Sequence, residues 1–142
     1  MTIDRRQFMA AAAAGVGSQF VSTSRDAVAQ TAARALPPDS GLFPGFEAKW
    51  VRTNGADIFL RHGGKGQPLL LLHGNPQSHA CWHKVAGALA SRYHVVVADL
   101  RGYGDSVGPP DGGAEHVNYS FRTMAQDQVD VMAALGYDRF FL

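Results

Sequence analysis

Leu69-Leu70-Leu71-Leu72 runs without polar alternation and stops at His73-Gly74-Asn75-Pro76. A strand of consecutive apolar side chains must be covered on both faces, as in a parallel sheet flanked by helices. His94-Val95-Val96-Val97-Ala98 repeats the pattern and is closed by Asp99. Between the two runs, His79 to Tyr93 carries Trp82, Val85, Ala86 and Leu89 at helical spacing, which predicts a helix. A second long helix is predicted over Tyr119–Leu135, with Met124, Val131 and Leu135 among its inward residues and Gly136 at its end. Upstream, Glu47–Thr53 and Ala56–His62 flank Asn54-Gly55, a strong hairpin turn pair. Ile58 and Leu60 alternate there with Asp57, Phe59 and Arg61, predicting a partly exposed antiparallel pair. Asp138 to Leu142 reads as the opening of a further buried strand. The order of hairpin, strand, helix, strand, helix, strand predicts an α/β fold, a mostly parallel sheet with helical crossovers. Finishing on Phe140-Phe141-Leu142 would leave an unpaired apolar edge, so the sequence is expected to be a truncated part of a larger protein.

The front of the chain has a different character. Asp4-Arg5-Arg6-Gln7-Phe8-Met9 precedes an alanine-rich, weakly apolar stretch to Val21, and Ala27-Val28-Ala29 supplies a small-x-small cleavage pattern. Paired arginines followed by x-Phe-Met resemble the signal for bacterial twin-arginine export, implying that export machinery as a partner and a periplasmic or secreted location. The rival reading is an N-terminal amphipathic helix of the fold; the order of arginines, apolar run and cleavage pattern favours export. No uninterrupted apolar run reaches the roughly 18–20 residues that span a bilayer, so no stable membrane anchor is expected. The expected organisation is a signal peptide at 1–29, a linker at 30–45 and a partial α/β domain at 46–142.

Charge and cysteine content narrow the function classes. The net charge is +1, from 13 Lys and Arg against 12 Asp and Glu. Without residues 1–29, which hold Arg5, Arg6, Arg25, Asp4 and Asp26, ten of each sign remain. A neutral mature segment offers nothing for electrostatic capture of nucleic acid. Cys81 is the single cysteine, which excludes an internal disulfide framework and any multi-cysteine metal site. It is predicted to be a small buried hydrophobe rather than a reactive thiol.

Two loops could carry chemistry. His73, Gly74, Asn75 and Pro76 follow the carboxyl end of a buried strand, where ligands bind in open α/β sheets. Gly74 permits a sharp turn and Pro76 fixes the exit direction. Together they would aim the Asn75 N–H at a cavity, to stabilise negative charge developing on an oxygen. A strand-to-helix turn without any role is the alternative, and the residues alone leave both open. In Asp99 to Ser106, Gly102-x-Gly104 follows a strand, but the third glycine falls one place late at Gly108 and Pro109-Pro110 follow where a helix should open. A dinucleotide fingerprint therefore fails. Asp99, Arg101, Gly102 and Gly104 are read as a shaped loop in which Asp99 and Arg101 hold backbone in place. Gly63-Gly64-Lys65-Gly66 precedes a strand and lacks Ser or Thr after the lysine, so it is no phosphate loop. His79 and His83 have the spacing of a metal-ligand pair, but no acidic or cysteine third ligand is evident. They are read as a helix-surface pair, with no metal expected, and His62, His94 and His116 as belonging to no constellation.

The segment His73-Gly74-Asn75-Pro76-Gln77-Ser78 with Trp82, followed by Val95 through Ser106, resembles the N-terminal half of the α/β-hydrolase fold. Its best match is the branch of haloacetate (fluoroacetate) dehalogenases and soluble epoxide hydrolases, from about Phe46 to Leu142. The resemblance implies that His73 to Pro76 is the oxyanion-side loop, with Asn75 as backbone donor. In the related haloalkane dehalogenases an Asn at this place also donates its side chain to the departing halide, so Asn75 is a candidate halide contact. Asp99 to Ser106 matches a structural loop beside the active site, and Asp105 and Ser106 are not expected to be catalysts. The family's nucleophile stands on a sharp turn after the strand that begins near Phe140, so nucleophile, acid and histidine are expected beyond Leu142. The parent enzyme would hydrolyse a carbon–halogen bond or an epoxide of a small-molecule substrate through an Asp nucleophile, with no redox or metal cofactor. A Ser nucleophile would instead make it an esterase or related acyl hydrolase. A catalytically inactive truncated product is the further alternative.

Overall fold

The computed structural model describes residues 35–38 and 41–142. The expected signal peptide and the first part of the expected linker lie outside the described residues. Asn54-Gly55 turns the chain between β1 (Glu47–Arg52) and β2 (Asp57–Gly63), with Thr53 N–H donating to the Ala56 carbonyl at 2.9 Å. Gly55 sits at φ +80°, a conformation that side chains disfavour. Next come β3 (Gln67–Leu72), a 3₁₀ turn (His79–Trp82), α1 (His83–Ala90), β4 (Tyr93–Ala98), short helical turns (Ala114–Tyr119) and α2 (Phe121–Ala134).

The sheet has the order β1-β2-β4-β3. The expected α/β order is present, but the sheet is mixed. β1–β2 and β2–β4 pair antiparallel, because the hairpin runs up and back against β4 before the crossover begins. Parallel pairing is confined to β3–β4, joined by α1, and to a bridge between Leu69 and Phe141 on the outer side of β3. That bridge is built from Leu70 N–H to the Phe141 carbonyl and Phe141 N–H to the Pro68 carbonyl, each 2.9 Å.

Each face of the sheet packs on one helix. Ile58, Leu60, Leu70, Val96 and Ala98 meet Val131 and Met132 of α2. Val95 and Val97 face the opposite way, with Phe43, Ala86 of α1, and the partly buried Trp82 and Leu89. Residues 95–98 are fully buried, as a strand sandwiched between helices requires.

The hairpin departs from its sequence reading. Ile58, Phe59 and Leu60 are all fully buried, and Arg61 is nearly so. The second face is covered because Phe43 folds back onto it, 3% exposed although it falls in the expected linker. Phe59 packs edge-on to Trp50, and the Arg61 guanidinium lies 5.7 Å from the Phe59 ring centre and 6.0 Å from that of Phe43. A cation over aromatic faces lets a charged residue occupy a site that polarity alone would send to solvent.

The predicted helix over His79–Tyr93 is divided. Ser78 accepts a hydrogen bond from Ala80 N–H, and a single 3₁₀ turn precedes the eight residues of α1. Val85 ends up exposed, and so does Cys81, on the outer side of a turn whose inward position belongs to His79. Partial desolvation by the surrounding turn and the nearby Asp99 charge push the Cys81 thiol up from its ordinary value, which disfavours the reactive thiolate. α2 begins at Ser120, whose Oγ accepts from Thr123 N–H at 3.2 Å, and ends before Gly136 at φ +87°. Among the described residues no helix is long and apolar enough to cross a membrane.

Candidate active site

The carboxyl ends of β3 and β4 lie side by side because the two strands are parallel, so the loops that follow them meet. From β3 come His73, Gly74, Asn75 and Pro76; from β4 come Asp99, Arg101, Gly102 and Gly104. His73 is buried, and Leu100 N–H donates to its Nε2 at 3.1 Å. A backbone N–H can only donate, so the ring proton resides on Nδ1, which donates to the Gly74 carbonyl at 2.9 Å. The ring therefore braces its own turn through Nδ1 and ties that turn to the β4 loop through Nε2. Gly74, Asn75 and Pro76 are exposed, and the Asn75–Pro76 peptide is cis. Among the described residues the Asn75 backbone N–H has no hydrogen-bond partner, and Tyr103 OH donates to Asn75 Oδ1 at 3.2 Å.

Asp99 is the hub beneath this turn. Its Oδ1 accepts from His79 N–H at 2.6 Å, and its Oδ2 pairs with His79 Nδ1 and accepts from Asp105 N–H, each at 2.9 Å. Burial alone would raise the Asp99 carboxyl. The hydrogen bonds from the His79 ring and from the His79 and Asp105 backbones outweigh it, holding the group below the usual carboxylate range. A Cβ on Gly104 would collide with the Asp99 carboxylate, which is why the loop passes this point as glycine. Ser106 is buried; its Oγ accepts from Phe59 N–H and donates to the Asp99 carbonyl, so it staples loop to hairpin.

Arg101 is 1% exposed, yet each of its three guanidinium nitrogens is hydrogen-bonded. Its guanidinium grips Asp127 of α2 through Nε–Oδ2 at 2.6 Å and Nη2–Oδ1 at 2.7 Å, and reaches the carbonyls of Asn118 at 2.7 Å and Asn54 at 3.1 Å. Thr53 Oγ1 donates to Asp127 Oδ1 at 2.5 Å. The Asp127 hydrogen bonds raise the Arg101 guanidinium above its already high value. Asp99 and Arg101 are thus anchored in protein contacts on every side.

Two histidine readings need correction. His79 and His83 do not form a surface pair: His79 is buried against Asp99, while His83 Nδ1 bonds the Ala80 carbonyl within its own turn at 2.8 Å. His62 and His94 do form a constellation. Their rings stack, with His62 Nδ1 3.2 Å from His94 Nε2, and His94 Nδ1 meets Tyr137 OH at 2.8 Å. Register explains it, since the sheet sets these positions on adjacent strands, a proximity that spacing along the chain does not show.

His79, Asp99 and Asp105 bring ligand atoms within 4.8 Å of one another, but His79 Nδ1 and both Asp99 oxygens already bond protein groups. Beside the turn opens a cavity of about 340 Å³, lined by Leu70, Leu72, His73, Leu100, Met124 and Gln128 among others. Gln128 is buried, and neither atom of its side-chain amide has a partner among the described residues. The sequence reading missed the roles of His79, Asp127 and Tyr103. A signal existed for one: Asp127 lies on the same helical stripe as Met124 and Val131, an acidic residue where an apolar one is expected.

A family model for the alpha/beta hydrolase fold matches residues 67–142. A fluoroacetate dehalogenase from Burkholderia sp is 50% identical over 101 residues, 71% of this chain and 33% of that protein. A soluble epoxide hydrolase from Corynebacterium sp. (strain C12) is 43% identical over 86 residues, 61% of this chain and 28% of that protein. A solved structure from Nostoc sp PCC 7120, assigned provisionally to the alpha/beta hydrolases, superposes with a TM-score of 0.64 at 56% identity, covering 67% of this chain and 32% of its own. The chain spans about a third of the length of these relatives.

Proposed function

We infer that this chain, which belongs to the alpha/beta hydrolase fold family, forms the oxyanion-side wall of a hydrolase that opens a carbon–halogen bond of a haloacetate or the ring of an epoxide. The observation that carries this reading is the N–H of Asn75, an exposed residue at the carboxyl end of β3, which has no partner among the described residues. An aspartate outside this sequence attacks the substrate carbon, forming an ester as halide or alkoxide departs. Water, deprotonated by a histidine also outside this sequence, then adds to the carbonyl carbon of that ester. Collapse of the tetrahedral intermediate releases the alcohol and restores the aspartate. The Asn75 N–H stabilises the oxyanion of this second step, a donor that costs nothing to reorient because Leu100, His73 and Gly74 already fix the turn. The protein follows the twin-arginine route to the periplasm or exterior, and Asn75 is the halide contact. Asp99, Arg101, Gly102 and Gly104 shape the site without touching substrate.

The test uses protein made from its complete reading frame. Fluoroacetate, chloroacetate and a terminal epoxide are each offered in single turnover in H₂¹⁸O. The expected result is halide or diol formation in which the new hydroxyl oxygen comes from the enzyme rather than the solvent. Solvent ¹⁸O appearing in the first-turnover alcohol would sink the aspartyl-ester route. Turnover of carboxylic esters alone would move the assignment to a Ser nucleophile.

A further inference from the structure

Asn75 presents two kinds of group to the site, and a side-chain amide is ambiguous: it can offer an acceptor oxygen or a pair of donor hydrogens. We propose that Tyr103 is the positioning residue that resolves this ambiguity, holding the Asn75 carbonyl oxygen so that its NH₂ and its backbone N–H together form a two-donor seat for an anion. The proposal rests on the reading of the His73–Pro76 turn given above and adds the device that sets its polarity.

The geometry is specific. Tyr103 OH donates to Asn75 Oδ1 at 3.2 Å, while Asn75 Nδ2 has no partner among the described residues. In a planar amide the nitrogen lies on the opposite branch from the oxygen, so engaging Oδ1 turns the NH₂ away from Tyr103. The backbone N–H of the same residue is also unpartnered among the described residues, so Asn75 keeps two uncommitted donor groups. A pair of donors of this kind favours an anion such as a halide or a carboxylate.

Tyr103 is itself held firmly enough to do this. Its N–H bonds the Leu100 carbonyl at 3.0 Å, and its carbonyl accepts from Ser106 N–H at 2.9 Å. Gly102 and Gly104 on either side take φ +75° and +52°, which sharpens the loop and places Tyr103 at its apex. The Tyr103 ring lies against the His73 imidazole, 5.4 Å between centres. Replacing the hydroxyl alone therefore leaves the ring's packing in place and frees only the amide.

The test is a titration of ¹⁵N-labelled protein made from its complete reading frame, at constant ionic strength, following the Asn75 side-chain NH₂ resonance. Asn75→Ala assigns the signal. Sodium bromide and sodium acetate are the two probes: a saturable shift with bromide identifies a leaving-group seat, and one with acetate a substrate-carboxylate seat. Either supports the proposal when Tyr103→Phe weakens the affinity about tenfold with the thermal midpoint unchanged, about the effect of one lost hydrogen bond. An Asn75 signal indifferent to both anions overturns it, and so does a Tyr103→Phe affinity equal to wild type. A merely structural tyrosine would lower the midpoint and leave the affinity alone. These readouts need no turnover, so the seat and the proposed hydrolysis stand or fall separately.

Discussion

Asp127 and Arg101 show how a buried charge becomes tolerable. Taking a guanidinium and a carboxylate out of water is costly, and the cost is offset only where every donor finds an acceptor. Here the bidentate pair is completed by Thr53 and by the carbonyls of Asn54 and Asn118. Asp127→Ala leaves Arg101 charged and stranded, and is expected to destabilise the fold by about 3–5 kcal/mol, measured by urea unfolding. Arg101→Lys should fail to rescue stability, because an ammonium cannot span a bidentate carboxylate and two carbonyls from one position. The sequence made Arg101 legible as a loop anchor and left its partner hidden, since Asp127 is distant in the chain and nothing in the spacing pairs them.

At the level of elements, the strands and α2 were legible because their apolar runs and their ends are local signals. The Asn54-Gly55 turn, the Leu69–Leu72 and Val95–Val97 runs and the Gly136 stop all act within a few residues. What depended on packing was not legible: the return of Phe43 over β2, the inward turn of His79, and the His62–His94 stack. That stack carries a pH dependence. Burial and the neighbouring His94 hold the His62 ring below its ordinary value, Lys49 adds to the effect, and Glu47 opposes it. An unfolded histidine takes up its proton near pH 6.5, while the folded one resists, so the unfolded state binds more protons as pH falls below that point. Stability is therefore complete above about pH 6.5 and declines as pH falls from there toward the lower folded value. Urea midpoints measured across this range should decline for wild type and flatten for His62→Gln. An unchanged slope in the variant would show that His62 is not the source of this dependence.

For the whole molecule, the twin-arginine reading makes a claim about destination that the fold does not. Replacing Arg5 and Arg6 together by Lys is expected to leave the protein in the cytoplasm, checked by fractionating cells that express the complete reading frame. Periplasmic accumulation of the double variant would count against that route.

The Arg101 network also bears on the order in which this molecule comes together. One guanidinium touches partners 47, 26 and 17 residues away in the chain. Hairpin turn, β4 loop, helical turns and α2 must all have arrived before its bonds can close, and each arrival costs loop entropy with no return from Arg101 until the last. The β1–β2 hairpin and the β3-α1-β4 unit can gain their contacts within short stretches of chain. Arg101 acts as a late latch: it contributes little to how fast the chain folds and much to how slowly it comes apart.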